Sequence, residues 1–300
     1  MKKRFIDPST NRKNEIVKEK LFFYNNIPLF SIIEFNLYGN CNRNCSFCPV
    51  SDPLVYEKKH EGITVALFEK TINDLVAINY QGKILFSAYS EPLLHKEIHT
   101  LISIAKQKLP LSRVEIVSNG DLLTPTKLKQ LFDAGLDTIS ISMYDGDHQI
   151  EHFNTMTEAI GLDATQVVLR RRYYKDGNYG ITISNRSGLV NSNEYRDQNE
   201  SEINTLPLHE KCYYPFYMIL IDYTGDVMLC PHDWSRKLSF GNVQEKSIVE
   251  IWEGKALNAI RSKLSNNNRN FFPCSKCDVL GTLMGEDSFD AWGNTGLIAK

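Results

Sequence analysis

The chain has 300 residues, 42% of them hydrophobic, enough for one large core or for a barrel with a smaller appendix. Its 34 basic and 36 acidic residues leave a formal net charge of -2, no strong field for nucleic acid or an anionic membrane, so a small-molecule or peptide substrate is expected. The basic residues 1–4 run into polar sequence, and the apolar stretch 21–35 is broken by Asn25, Asn26, Pro28 and Glu34; neither reads as a signal peptide or a membrane span, and a cytoplasmic location is expected.

From Ser31 onward, short β-branched or aromatic runs alternate with stretches of helical period, the pattern of βα units around a parallel sheet. Strands are expected over 32–37, 83–89, 113–118, 138–143, 166–170 and 179–184, with helices over 66–78, 95–108, 125–134 and 147–160 between them. Thr124-Pro125 opens the third helix as a cap followed by proline at the first helical position. Six strands are too few to close an eight-stranded barrel, so the expected fold is α/β, a partial (β/α)6 barrel with functional residues at the carboxyl ends of its strands. The polar stretch 191–204 reads as a linker, 218–229 as a hairpin turning at Thr224-Gly225-Asp226, and 247–264 as one amphipathic helix. The division is then an N-terminal extension over 1–30 with too little pattern to place, a barrel over 31–204 and a small α+β domain over 205–300.

The seven cysteines divide into three (Cys41, Cys45, Cys48) and four (Cys212, Cys230, Cys274, Cys277). An odd count without an export signal argues for reduced thiols and metal binding, not for a disulfide framework. The run Cys41-Asn42-Arg43-Asn44-Cys45-Ser46-Phe47-Cys48 follows the first expected strand, where its loop would point three sulfurs into the barrel mouth. Three thiolates are one ligand short of a closed tetrahedral zinc or a fully held iron–sulfur cube, which implies an open iron. The plainer reading is a structural zinc that borrows a histidine, but His60, the nearby one, has no recognisable zinc spacing.

With aromatic Phe47 before its last cysteine, this loop resembles the signature of the radical S-adenosylmethionine (SAM) superfamily. The resemblance implies a [4Fe–4S] cluster on Cys41, Cys45 and Cys48, its fourth iron chelated by the amino and carboxylate groups of SAM. Tyr89-Ser90-Glu91-Pro92 is similar to the Gly-Gly-Glu-Pro segment that binds the SAM amino group, with Ser90 in place of glycine, and a carboxylate suits an ammonium. Ser118-Asn119-Gly120 is similar to the segment that contacts the SAM ribose and carboxylate. Alone, Glu91 would be a solvated loop acid and Asn119-Gly120 a plain turn; their order and strand-end placement favour SAM. Cys212, Gly225, Cys230 and Cys274-x-x-Cys277 resemble the auxiliary-cluster domains called SPASM and twitch. Leu283 stands where a full SPASM domain continues its cysteines, so the shorter twitch form is implied, with one auxiliary [4Fe–4S] cluster closed by four thiolates and left to electron transfer. A zinc ribbon held by the same four cysteines is the alternative.

Within the superfamily, residues 31–280 resemble the 2-deoxy-scyllo-inosamine dehydrogenases, notably at Ser184-Asn185-Arg186-Ser187-Gly188 and in the 17 residues between Cys212 and Cys230. That implies oxidation of a secondary alcohol on a carbohydrate-like small molecule, with the auxiliary cluster taking the second electron and an external donor such as flavodoxin or ferredoxin supplying the first. Arg186 matches the arginine facing the reacting hydroxyl and Tyr89 a substrate-contacting tyrosine. A guanidinium is a poor base, so Arg186 would stabilise a developing alkoxide; a plain salt bridge is the alternative. Where the family places a glutamate toward its substrate, this chain has His232 followed by Asp233, so an aminocyclitol is not assured. A neutral or nucleotide-linked sugar is compatible, with Arg170, Arg171 and Arg172 as phosphate partners. A maturase acting on a peptide and a zinc-stabilised binding module without catalysis are the competing readings.

Overall fold

The computed structural model describes residues 9–172, 183–191 and 205–298; most of the strand expected over 179–184 and nearly all of the expected linker lie outside the described residues. Helix α1 (Ser9–Glu19) is followed by a small hairpin of β1 (Phe23–Tyr24) and β2 (Ile27–Pro28). Asn25 and Asn26 turn it at φ 49 and 64, a region that asparagine tolerates better than most residues.

Strands β3 (Ile32–Phe35), β4 (Lys83–Phe86), β5 (Arg113–Ser118), β6 (Thr138–Met143) and β7 (Val167–Arg171) then lie side by side in chain order, all parallel. Their period of two divides the side chains. Ile33, Phe35, Ile84, Phe86, Ile116 and Ile139 join the core under the outer helices, each contributing about 1.5–3 kcal/mol by burial. Glu34, Lys83, Leu85, Val117 and Ser142 instead face an internal cavity. The outer helices are α2 (Val65–Ala77), α3 (Ile98–Lys108), α4 (Pro125–Asp133) and α5 (His148–Glu158). Thr64 caps α2 and Thr124 caps α4, each hydroxyl accepting a bond from the N–H three residues on. The helix expected from residue 95 begins at Ile98, because Pro92–Leu94 form a separate 3-10 turn capped by Glu91.

Beyond the undescribed segment, α6 (Tyr214–Tyr217) leads into the expected hairpin, β8 (Met218–Ile221) and β9 (Asp226–Met228), with Gly225 at φ 91 in the turn; β10 (Ser239–Asn242) pairs with β9. The hairpin is not set apart from the barrel. β8 pairs parallel with β3, from Ile32↔Met218 to Phe35↔Ile221, giving one eight-stranded sheet in the order β10-β9-β8-β3-β4-β5-β6-β7. The sixth parallel strand among the described residues is therefore β8, which flanks β3 on the side away from β4.

The single helix expected over 247–264 is two, α7 (Ile248–Trp252) and α8 (Lys255–Ser265), because Gly254 takes an extended conformation between them. A Cβ there would sit 3.0 Å from the Ile251 carbonyl oxygen. Helix α9 (Glu286–Gly293) returns Trp292 to within 5.8 Å of the Trp252 ring. At the amino-terminal ends of the strands α1 closes the barrel floor: Val17 packs with Ile32, Leu85 and Met218, and Arg12 reaches the lumenal Glu115. Among the described residues no helix is long and apolar enough to cross a membrane.

Candidate functional site

A cavity of about 440 Å³ runs from this floor, at Lys13, Glu34 and Lys83, to the carboxyl ends of the strands. All three cysteines of the first set line it, together with Phe47, Glu91, Ser118 and Asn119. Their loop leaves the end of β3, and its sulfurs are half-buried and free of disulfides. The Arg43 N–H points at Cys41 Sγ from 3.5 Å and the Asn119 amide from 3.8 Å. Burial pushes all three thiols up, Cys41 to about 11, so a metal bound by them would displace their protons.

Arg43 anchors that loop. Its guanidinium donates to Asp121 at 2.7 Å and to Asp145 at 2.8 and 2.6 Å, joining the loops that follow β5 and β6. The same group lies 5.3 Å from the Tyr144 ring, which packs against Phe47 at 5.5 Å. Glu91, 2% exposed, accepts from Ser118 Oγ and from the N–H groups of Asn119 and Leu93 at 2.8, 2.8 and 3.0 Å. Burial outweighs these bonds and raises its carboxyl to about 7.

The second set gathers beside the cavity from three places: Cys212 before α6, Cys230 after β9, and Cys274 and Cys277 around the 3-10 turn Cys274–Lys276. Arg269, 2% exposed, binds the loops around them by donating to the carbonyls of Glu210, Lys211 and Val279 at 2.8–3.0 Å. Burial, and then the other thiols, raise Cys230 and Cys274; burial raises Cys277 to about 11. Gly281 leaves room here, since a Cβ on it would meet Cys212 Sγ at 2.3 Å.

Between the two sets stands a wall of polar and aromatic groups. Tyr89 donates its hydroxyl to the Cys230 carbonyl at 3.0 Å and meets Trp234 at 5.1 Å in an edge contact. Arg186, held at φ 50, places its guanidinium 5.2 Å from the same Trp234 ring, and its buried Nε has no hydrogen-bond partner among the described residues. His232 Nε2 meets the Tyr214 hydroxyl at 3.0 Å; burial, with Arg186 and Lys13, lowers its pKa to about 3, so the imidazole is neutral. Asp233 does not line the cavity: it is fully buried and accepts from Ser235 at 2.6 Å. The site residues expected from the sequence thus gather on one cavity or beside it, with Asp233 turned away. Trp234 and Arg43 were missed, although the sequence placed one four residues after Cys230 and the other inside the first cysteine run.

A partial parallel barrel with a three-cysteine loop at its first strand end and four further cysteines beside the same cavity defines a class. The chain belongs to the radical SAM superfamily, which residues 35–170 match, and carries a SPASM iron–sulfur cluster-binding domain, which residues 212–278 match. It is similar to the S-adenosyl-L-methionine-dependent 2-deoxy-scyllo-inosamine dehydrogenase of Niallia circulans, with 27% identity over 265 residues, 87% of this chain and 98% of that protein. The GTP 3',8-cyclase of Chlorobaculum tepidum is 33% identical over 117 residues, 39% of this chain and 33% of that one. Among solved structures, BtrN in complex with AdoMet and 2-DOIA has a TM-score of 0.71 at 25% identity, covering 87% of this chain and 97% of that chain. The anSMEcpe structure with bound AdoMet shares the fold, with a TM-score of 0.51 at 12% identity over 89% of this chain and 93% of that one.

Proposed function

We propose that this chain is a radical SAM oxidoreductase that converts a secondary alcohol of a cyclitol- or sugar-like small molecule into a ketone. The observation that carries the reading is the placement of Arg186 and Trp234 on one cavity, between a three-thiol and a four-thiol set. Two features support iron–sulfur clusters on these thiols: N–H donors aim at Cys41 Sγ, and Gly281 keeps space open against Cys212. Cys41, Cys45 and Cys48 would hold the SAM-binding [4Fe–4S] cluster, and Cys212, Cys230, Cys274 and Cys277 the auxiliary one. When bound, these groups would supply one-electron chemistry: reductive cleavage of SAM as the hydrogen-abstracting agent for the carbinol carbon, and a one-electron acceptor at the auxiliary cluster, so that loss of the hydroxyl proton completes the two-electron oxidation to a ketone.

The residues around the cavity have matching tasks. Glu91 and Asn119 orient the methionine part and ribose of SAM, and Phe47 packs beside them. Arg186 steadies oxygen as its proton departs, and Tyr89 fixes the wall against which the substrate rests. On this reading the barrel over 31–204 would hold the SAM-binding cluster and the segment over 205–300 the auxiliary one, the two being joined through the pairing of β3 with β8. The first cysteines are more exposed than the buried Cys274 and Cys277, which suits reduction by an external one-electron donor of the flavodoxin or ferredoxin kind.

The test is the double variant Cys274→Ala, Cys277→Ala, prepared anaerobically beside the parent. SAM cleavage on reduction should persist while ketone formation stops. Ketone at the parental rate would refute the electron-acceptor role, and deuterium transfer into 5′-deoxyadenosine from peptides but from no alcohol would replace oxidation with a maturase activity.

A further inference from the structure

We infer that the deep end of the cavity is a substrate subsite, in which Glu34 receives a hydroxyl of a ring polyol remote from the hydroxyl that is oxidised. The inference rests on the oxidation reading above and adds a group that decides which polyol is held.

Glu34 stands within β3, in register with Leu85 on one side and Leu220 on the other, and is 3% exposed. A glutamate is almost never buried to that degree unless it is paired. Yet its buried Oε2 has no hydrogen-bond partner among the described residues, and the side chain lines the cavity. Glu115, on the same sheet, is the contrasting case. Its carboxylate bonds to Lys83 at 3.3 Å and to Arg113 at 2.6 Å, and Arg12 donates to it as well. One glutamate completes a charge network, whereas the other keeps an unused oxygen toward the lumen.

The remaining carboxylates of the cavity wall are engaged. Glu91 accepts three bonds, and Asp278 accepts from the Asn185 N–H at 2.9 Å. Glu34 also lies within electrostatic reach of the wall described above. After burial and nearer groups, its charge helps to raise the phenols of Tyr89 and Tyr214. A ring resting on Tyr89 thus has Glu34 toward the floor, with Leu85 and Met218 as apolar sides of the same cavity.

The surroundings select the partner of Oε2. Burial raises the Glu34 carboxyl to about 7, against Ser87, Lys13, Lys83 and the Ala88 backbone, which favour its charge. The charged groups facing it are thus Lys83 from β4 and Lys13 from α1, while its register partner in β8 is apolar. An ammonium group of a substrate would be a third cation beside one carboxyl. A hydroxyl brings no charge, and it can donate to the ionised carboxyl or accept from the protonated one, both of which are present near neutrality.

The test uses the cluster-loaded chain with SAM under reduction and scyllo-inositol, glucose and 2-deoxy-scyllo-inosamine, deuterated at their carbinol carbons. Each is paired with analogues lacking one further hydroxyl. For the compound turned over best, removing one hydroxyl remote from the reacting carbon should lower kcat/KM for deuterium delivery to 5′-deoxyadenosine by about tenfold or more. In Glu34→Leu the same removal should cost no more than about twofold, because the partner is already gone, and Glu34→Gln, which keeps an acceptor oxygen, should fall between. Equal penalties in the parent and in Glu34→Leu overturn the inference while leaving alcohol oxidation standing; deuterium transfer from none of the alcohols overturns both. A second readout needs no turnover. Because the carboxyl is raised from 4.5 to about 7, an ionised Glu34 counts against the folded chain as pH rises above about 4.5. Glu34→Gln and Glu34→Leu should therefore raise the urea midpoint at pH 7. A lowered midpoint in both would make Glu34 a structural partner of Lys13 and Lys83 and overturn the inference.

Discussion

The Tyr89 hydroxyl donates to the carbonyl oxygen of Cys230 across 3.0 Å, tying the chain after a barrel strand to a cysteine of the second set. Tyr89 is 1% exposed, and burial raises its phenol well above the ordinary value, so it remains a donor throughout the working pH range. Tyr89→Phe would keep the edge contact with Trp234 and leave the carbonyl without this donor. The expected loss is about 1–3 kcal/mol, read as a lower urea midpoint with unchanged slope. An unchanged midpoint would mean that water restores the bond.

Space beside Cys212 is as tightly set as the hydrogen bonds. Gly281→Ala would place a methyl group 2.3 Å from the thiol and 2.8 Å from the Cys212 Cα, and backbone cannot yield as a flexible side chain can. The variant should lose the auxiliary cluster selectively, its iron falling from about eight to about four per chain, while the SAM site stays loaded. Parental iron and sulfide content would count against Cys212 as a ligand.

Arg43 joins the first cysteine loop to two aspartates on neighbouring loops, one of them two residues beyond Asn119. Arg43→Gln removes the charge-assisted bonds and frees the loop to shift against Ser118 and Asn119. We expect the cluster to assemble and the Kd for SAM to rise about tenfold, or about 1.4 kcal/mol, because orientation is lost before ligands are. The readout is titration of the electron paramagnetic resonance shift of the reduced cluster by SAM. Arg43→Lys should recover little, since an ammonium cannot hold both carboxylates in a planar fork.

The parallel sheet, the hairpin at Gly225 and both cysteine sets were legible because their signals are local: alternation of apolar residues, turn chemistry and short spacing. What pairs over distance was not. Nothing in residues 218–221 states that they will lie parallel to Ile32–Phe35, and this pairing is what merges the auxiliary segment with the barrel. Arg261 is another case. It looks like the polar face of an amphipathic helix, yet it is fully buried with its guanidinium 4.0 Å from the Trp252 ring and 3.8 Å from that of Trp292, which comes from a separate helix much further along the chain. The candidate site divides the same way, for Cys48 could be read from its spacing whereas Trp234 acquires a role only when Tyr89 and Arg186 are brought to its ring.

The barrel floor gives a pH prediction away from the cysteines. Glu115 has a side chain only 4% exposed and is bonded to Lys83 at 3.3 Å, to Arg113 at 2.6 Å and to Arg12. Burial pushes its carboxyl up, but Lys83 and Arg12, with help from Arg113, outweigh burial and leave the pKa at about 2, below the usual 4.5. The ionised group therefore favours the folded chain in full above about 4.5, by about 3 kcal/mol, and that contribution is lost as pH falls toward 2. Glu115→Gln leaves Lys83 buried without its countercharge and should be strongly destabilised at pH 7, by about 3–5 kcal/mol. Urea midpoints of parent and variant, followed by far-ultraviolet circular dichroism, should stay apart from pH 7 to pH 5 and converge at lower pH. A gap that is already closed at pH 5 would show that Glu115 does not carry this charge network.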